Sequence, residues 1–487
     1  MVDRRRFTGL KNVGWAGIEA VSSVLVSVVA LLGIAKLIGP TEFGLGALGL
    51  GTVQILTVVL GSLFHDALVR DPEVDERHVN AAWTISLLLA LVAFGLCVAL
   101  SSPFAGYYGA PELGPVFVAF AFTLIPDAVV APLIAERRRA LDFRLVTVQY
   151  LLARALGALI GVAMAFAGYG VWSMVGQQVV TSLVGLVIMV RRVPFTLRPS
   201  FALGLLKPLL AFTSSIIATQ FVIQLAQRLL LFYVGRVSGV TAAGYWGLAD
   251  RIIDTLQRTV TNALYHVSLS HFAKVQDQPA RLGTLVHEAN GWLVPAIFPG
   301  LLIVAVFATD IIGLILGEAW LPAGVATQVL ALGAVIQLRR LMDHVSLNAL
   351  GHADVAFQAY LLEAGLVIAA LFLVSPTALA AVAIFRAVQP VFGYLLIAQR
   401  AMVMTERRWR DEIQALGLDV MVVIAAGGVA WLIHRSGGGE PSWAWLILGS
   451  IGAYLAAALA TVLLRPSMTR KAWRTLASHP RFLALRG

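Results

Sequence analysis

The chain has 487 residues, of which 59% are hydrophobic and only 13% charged, with a formal net charge of +10 and a mean hydropathy of +0.85. That composition excludes a string of soluble domains, and the basic residues cluster between apolar runs with no stripe of interleaved aromatics, which excludes a nucleic-acid surface. The single cysteine, Cys97, lies inside an apolar run, so neither a disulfide nor a cysteine metal site forms within one chain.

The N-terminus carries Arg4, Arg5, Arg6 and Phe7, the outline of a twin-arginine export signal. The run that follows, Trp15 to Leu37, is too long for a signal core and has no small-residue cleavage site, so it reads as a retained first span with a basic flank. Apolar windows of roughly 20 residues then predict helices near 14–38, 43–69, 80–100, 113–135, 145–167 and 171–190. A second set falls near 208–234, 244–269, 285–308, 322–347, 355–374 and 377–399, and two more near 416–434 and 443–464. The fold class is therefore an all-α polytopic membrane protein of about 14 spans. Tight joints at Gly39 and Pro40, at Gly168 to Gly170 and at Ser375 and Pro376 mark helical hairpins.

Lysine and arginine set the orientation. With a cytoplasmic N-terminus, one set of joints and flanks holds Arg4, Arg5, Arg6, Lys11, Arg70, Arg77, Arg137, Arg138, Arg139, Arg144, Arg191, Arg192, Arg198 and Lys207. The same set holds Lys274, Arg281, Arg400, Arg407, Arg408, Arg410, Arg465, Arg470, Lys471, Arg474, Arg481 and Arg486, against Arg236 and Arg435 on the other side. Both termini are expected in the cytoplasm of a bacterium, with the spans in its inner membrane. The remaining basic residues, Lys36, Arg154, Arg228, Arg251, Arg258, Arg339, Arg340 and Arg386, fall within spans.

An offset of 200 residues brings two joints into register, residues 35–48 and 235–248, matching Gly39 with Gly239, Thr41 with Thr241, Gly44 with Gly244 and Leu48 with Leu248. The same helix–joint–helix element thus opens spans 1–2 and 7–8. We expect two parallel six-helix bundles, 1–200 and 201–400, around a central cavity, with two helices and a basic tail appended over 401–487. Pro126, Pro132, Pro295, Pro299 and Pro390 lie inside spans and are candidate bending points.

An arginine at mid-bilayer costs roughly 2.5–3.5 kcal/mol, so the intramembrane cations must face partners or water. Polar residues recur at helical spacing: Asp250, Asp254, Arg258 and Thr261, flanked by Arg251; Gln337, Arg340, His344 and Asn348, beside Arg339 and Asp343; Gln220, Gln224, Gln227 and Arg228; and Glu19, Ser23 and Ser27. Two readings stand side by side. Either these are ion pairs that hold helices together, such as Asp254 with Arg258 and Arg339 with Asp343, or the stripes line a hydrated cavity with an excess of positive charge. The second suits an anion, because arginine grips phosphate with two parallel hydrogen bonds. On it, Arg154, Arg228, Arg251, Arg258, Arg339, Arg340 and Gln224 are candidate binding residues, and Glu19, Asp250, Asp254 and Asp343 candidate pairing or coupling acids. There is no Walker A, HExxH or GxSxG motif, and no cofactor is expected.

The segments IGPTEFG (38–44), FHDALVR (64–70), RRRALDF (137–143), GYGVWSMV (168–175), VGRVSGVTAAGYWGLADRI (234–252) and HFAKVQD (271–277) together resemble the polysaccharide transporter family, most closely the colanic-acid-exporter type. This family of lipid-linked oligosaccharide flippases lies within the multidrug/oligosaccharidyl-lipid/polysaccharide exporter superfamily, and the likeness covers about residues 10–400. It implies transfer of an undecaprenyl-diphosphate-linked oligosaccharide between leaflets by alternating access, for exopolysaccharide or O-antigen assembly. It also implies membrane lipids, and a polysaccharide polymerase and co-polymerase, as partners of a monomeric transporter. Arg251 falls on the family's basic position in YWGLADRI (245–252). One departure concerns coupling: relatives often carry an acid in mid-span 7, where this chain has Gln227 and Arg228. A cation-coupled small-molecule exporter of the same superfamily is the nearest alternative, but that class favours an acidic cavity. A membrane glycan polymerase or ligase would need a sizeable periplasmic loop, and the joints here are short.

Overall fold

The computed structural model describes residues 2–70, 74–193, 196–373, 379–437, 442–466 and 470, with the side chains of 2–26, 203, 208–212, 214–216, 219, 266, 353 and 373 left aside. The joint at Ser375 and Pro376, the side chains of Glu19 and Ser23 and the far C-terminal basic residues fall outside what is described.

Helix α1 (Val2–Ser62) is two spans fused end to end. Gly39 interrupts it with φ 78° and ψ 171°, a conformation that a Cβ disfavours, and Pro40 reopens the helix at a position where its missing N–H is no loss. The short α2 (His65–Arg70) follows. Helix α3 (Glu76–Tyr108) begins at Asp75, whose carboxylate accepts the backbone N–H groups of Arg77 and His78, and ends at a left-handed Gly109. α4 (Leu113–Ala121) and α5 (Leu124–Arg139) are one broken span. Pro126 cannot donate to the carbonyl of Phe122, and the chain tightens there: Thr123 N–H bonds the Phe120 carbonyl at 3.0 Å and Ile125 N–H bonds that of Phe122 at 3.2 Å. α6 (Phe143–Phe166), α7 (Trp172–Arg192), α8 (Leu203–Val237) and α9 (Val240–Phe272) follow, with Gly239 at φ 89° between the last two.

Next come α10 (Pro279–Leu316), unbroken through Pro295 and Pro299, and a 3-10 turn over Glu318–Trp320. α11 (Leu321–Arg339) and α12 (Leu341–Ala349) are again one span interrupted at Arg340. α13 (Ala353–Leu373), α14 (Leu379–Met404), α15 (Trp409–Ser436) and α16 (Trp443–Leu464) complete the chain. With α1 counted as two spans, and α4–α5 and α11–α12 as one each, the described residues supply the 14 predicted windows. Of these, 11 helices are long and apolar enough to cross a membrane. The chain is a multi-pass membrane protein. Its outer faces agree: Leu455, Leu459 and Leu463 on α16 are 65%, 61% and 69% exposed, a row that suits lipid and not water.

The chain divides into two compact units, Met1–Thr255 with Ala364–Val382, and Leu256–Glu363 with Ala383–Gly487. These follow compactness, a different property from the repeat boundaries at 200 and 400. In the first unit, α6 packs on α7 and α1, and a core of Phe64, Leu68, Val79, Leu133, Ile134, Val146 and Met189 ties α2, α3, α5, α6 and α7 together. In the second, α10 packs on α11 and α15, while Leu347, Val355, Ala359, Ile397 and Ala401 join α12, α13 and α14.

The two matched joints meet inside the first unit. Thr41 and Thr241 share a hydrogen bond between hydroxyls at 2.8 Å. A Cβ on Gly44 would run into the carbonyl of Val240, and one on Gly244 would run into the carbonyl of Pro40. Each contact has its counterpart 200 residues away, the pattern that a local two-fold relation generates.

Candidate functional site

Helix periodicity in the first unit brings five polar faces to one cavity of about 420 Å3. α6 contributes Gln149, Tyr150, Ala153 and Arg154; α7 contributes Gln177, Gln178, Thr181, Ser182 and Gly185. α5 adds Asp127, Val130, Ala131 and Ile134, α1 adds Ser27, Gln54, Thr57 and Gly61, and α9 adds Arg251. The sets on α5, α6 and α7, and Gln54, Thr57 and Gly61 on the second span of α1, recur at three- and four-residue steps, so each is one face of its helix, while Ser27 comes from the span before Gly39. Gly157 and Gly161, four apart on α6, let α7 approach: a Cβ on the first would strike Thr181 Oγ1 and the Gln177 carbonyl, and one on the second would lie 2.7 Å from the Gln177 Cβ. Their backbone proximity fixes where Gln177 and Thr181 sit.

Three of the predicted cations gather here. Arg154 Nη1 donates to Ser27 Oγ at 3.0 Å. Arg228, on α8, donates from Nη2 to Gln54 Oε1 at 2.9 Å and faces Asp250 across 3.8 Å. Arg251 lines the cavity with no hydrogen-bond or ion-pair partner for its guanidinium among the described residues, and the charges of Arg228, Arg154 and Asp254 act on it. Like charges brought together in a low-dielectric setting repel, so the cluster is stabilised by an anion. Gln224 is half-buried on α8, one turn before Arg228, and is not among the lining residues. Asp254 and Arg258, one turn apart on α9, are both engaged in polar contacts and also lie outside the lining.

The other predicted cations have a different setting. In the second unit Arg339 is 5% exposed and meets Asp419 at 3.0 Å, Glu412 at 2.5 Å and Asp343 at 3.7 Å. Arg407 pairs with Asp343 and, at 3.2 Å, with Glu412; Arg465 pairs with Asp419 and donates to the Gly291 and Ala415 carbonyls at 3.2 Å and 3.1 Å. Tyr394 OH donates to Glu412 at 3.1 Å. The set alternates Arg339, Arg407 and Arg465 with Asp343, Glu412 and Asp419, and its members come from α11, α12, α15, the α14–α15 joint and the end of α16. Arg340 pairs with Glu363 and lies over the Tyr360 ring at 5.5 Å, while Asn348 reaches Tyr265 OH at 3.0 Å and His344 at 3.2 Å. Here the ion-pair alternative describes the geometry: the charges are compensated and buried, as desolvation demands.

Sequence reasoning passed over Gln54, Gln149, Gln177, Gln178 and Thr181, because neutral amides scattered in apolar runs look unremarkable; the four-residue step from Gln177 to Thr181 was the available signal. It also counted Arg407 and Arg465 as loop cations. The seven-residue spacing of Glu412 and Asp419, which puts both on one face of α15, was the clue to their burial.

The family described as polysaccharide biosynthesis protein matches residues 34–325. The succinoglycan biosynthesis transport protein ExoT of Rhizobium meliloti is 27% identical over 283 residues, 56% of this chain and 56% of that protein. The lipopolysaccharide biosynthesis protein WzxC of Escherichia coli is 21% identical over 319 residues, 64% of each. The chain thus spans somewhat over half the length of these relatives. Among solved structures, the lipid II flippase MurJ in an inward closed conformation superposes with a TM-score of 0.74 at 12% identity, covering 93% of this chain and 99% of that one. An inward-facing multidrug resistance MATE family transporter of the MOP superfamily gives 0.52 at 14% identity, covering 80% and 94%. These similarities establish the fold.

Proposed function

This chain belongs to the polysaccharide biosynthesis protein family, and from that premise we propose that it is a flippase moving a polyprenyl-diphosphate-linked oligosaccharide from the cytoplasmic to the periplasmic leaflet of a bacterial inner membrane. The observation that carries this reading is the intramembrane cavity with Arg154 and with Arg251, which has no hydrogen-bond or ion-pair partner among the described residues, against Asp127 as the carboxylate among its described lining. The diphosphate is the charged, hydrogen-bond-accepting part of such a substrate. Arg251 and Arg154 receive it, and Arg228 reinforces the field while Asp250 restrains it. The glycan occupies the polar cavity and the polyprenyl chain stays in lipid, so neither part leaves the medium it prefers. Alternating access then exposes the cavity first to one side and then to the other. The same reading includes cytoplasmic termini, supported by the basic-residue asymmetry, and a polymerase that consumes the delivered glycan.

Arg339 and Arg340, assigned from sequence to the same role, act in this reading as helix-pairing residues, because their charges are already met by Asp419, Glu412 and Glu363. The decisive experiment is complementation of a strain lacking the transporter. Arg251→Gln abolishes surface glycan and accumulates the lipid-linked precursor, with normal protein in the membrane. Arg251→Lys restores part of the export, since the charge survives and the two-pronged donor is lost. Full export by Arg251→Gln would falsify the anion role.

A further inference from the structure

The cavity presents more than cations. Gln149, Gln177 and Gln178 line it beside Arg154, and none of the three carboxamides has a hydrogen-bond partner among the described residues. Gln149 is 5% exposed, and its Oε1 is buried with no donor. It lies over Gly185, where a Cβ would come within 2.6 Å of its Nε2, so the absence of a side chain there makes room for the amide. A buried acceptor left without a donor is destabilising, a penalty that a bound ligand able to donate removes.

The chemistry of these groups selects the ligand. A carboxamide offers an acceptor and two donors in one plane. A diphosphate diester has acceptors only, so it leaves the amide oxygens without donors. Sugar hydroxyls donate and accept at once, and adjacent ring hydroxyls match the planar amide. Thr57 and Thr181 sharpen the distinction, because their hydroxyl protons are spent on the carbonyls of Val53 at 3.1 Å and Gln177 at 2.7 Å, which leaves lone pairs toward the cavity. Such hydroxyls accept from a sugar and repel a phosphate oxygen. The cavity size, about 420 Å3, is in the usual range for a small-molecule site.

We propose that Gln149, Gln177 and Gln178, with Thr181, form a sugar-recognition subsite that reads the monosaccharide esterified directly to the diphosphate. The assignment rests on the flippase reading above and extends it from the anchor to specificity. Gln149 and Arg154 both line this cavity from α6, so a sugar at the amides is continuous with a diphosphate at the guanidiniums.

The test uses the full chain in lipid nanodiscs with four probes: farnesyl diphosphate, and the glucosyl, galactosyl and N-acetylglucosaminyl diphosphate esters of farnesol. The unmodified protein binds one or more glycosyl probes about tenfold more tightly than farnesyl diphosphate, the worth of one or two neutral hydrogen bonds. Gln177→Met and Gln149→Met erase that preference and change farnesyl diphosphate binding little. Arg251→Gln weakens all four probes alike. Equal binding of all four by the unmodified protein overturns the subsite, and that measurement is independent of how any variant folds. Retention of the preference by both glutamine variants, or an equal loss of farnesyl diphosphate binding in them, overturns it as well. A sugar preference that survives while Arg251→Gln leaves every probe unaffected keeps the subsite and removes the anion role instead.

Discussion

Arginine occupies two kinds of setting in this membrane protein, and its carboxylate neighbours decide which. Arg251 faces a cavity without a partner among the described residues, whereas Arg339 is held by Asp419, Glu412 and Asp343 in a buried cluster. The two kinds of site answer differently to mutation. Neutralising a cavity cation removes repulsion among Arg154, Arg228 and Arg251 and leaves the fold intact. Neutralising a clustered charge strands its partners: Asp419→Asn leaves both Arg339 and Arg465 under-compensated and destabilises the protein by about 3–5 kcal/mol. A thermal melt in detergent reads this as a large fall in Tm, and adding Arg465→Met to Asp419→Asn recovers much of it. A melt unchanged by Asp419→Asn would show that the cluster contributes nothing to stability. Arg340→Gln belongs with the second group, since it leaves Glu363 buried without its cation, and its loss of export accompanies a fall in folded protein.

At the scale of helices, hydropathy located every long element, while the breaks within them came from local chemistry that apolar windows do not register. Pro126 explains the interruption between α4 and α5, yet Pro295 and Pro299 sit in an unbroken α10. The matched joints were legible as a repeat of glycines and threonines; that they touch each other was not, because a 200-residue offset says nothing about proximity. The crossing makes two predictions. Gly44→Leu abolishes folded protein, since its side chain has to enter the space of the Val240 carbonyl. In a Cys97→Ala background, Thr41→Cys with Thr241→Cys forms a disulfide on mild oxidation, because hydroxyls 2.8 Å apart bring the two Cβ atoms near the ~3.5–4.5 Å that a disulfide spans. Electrophoretic mobility with and without reductant reports the bond, and failure to cross-link in folded protein contradicts the contact.

For the molecule as a whole, orientation is the testable quantity. Glu112 and Leu141 are exposed at opposite ends of the candidate span Leu113–Arg139, and the orientation proposed above puts the second end, with Arg137, Arg138 and Arg139, in the cytoplasm. In the Cys97→Ala background, Glu112→Cys reacts with a membrane-impermeant maleimide in intact spheroplasts, and Leu141→Cys reacts only after the membrane is opened. The reverse pattern overturns the topology. The sequence by itself determined the all-helical class, the number of spans, the basic asymmetry and the family, since each depends on composition and order along one helix at a time. Tertiary structure alone decided which charges meet. Arg154 on α6 joins Arg228 and Arg251 on α8 and α9, and Arg339 on α11 joins Glu412 and Asp419 on α15 and Arg465 at the end of α16. Helical spacing says which face a side chain shares, but compensation is a property of facing helices. Whether an intramembrane arginine is available to an anion or already satisfied therefore depends on packing.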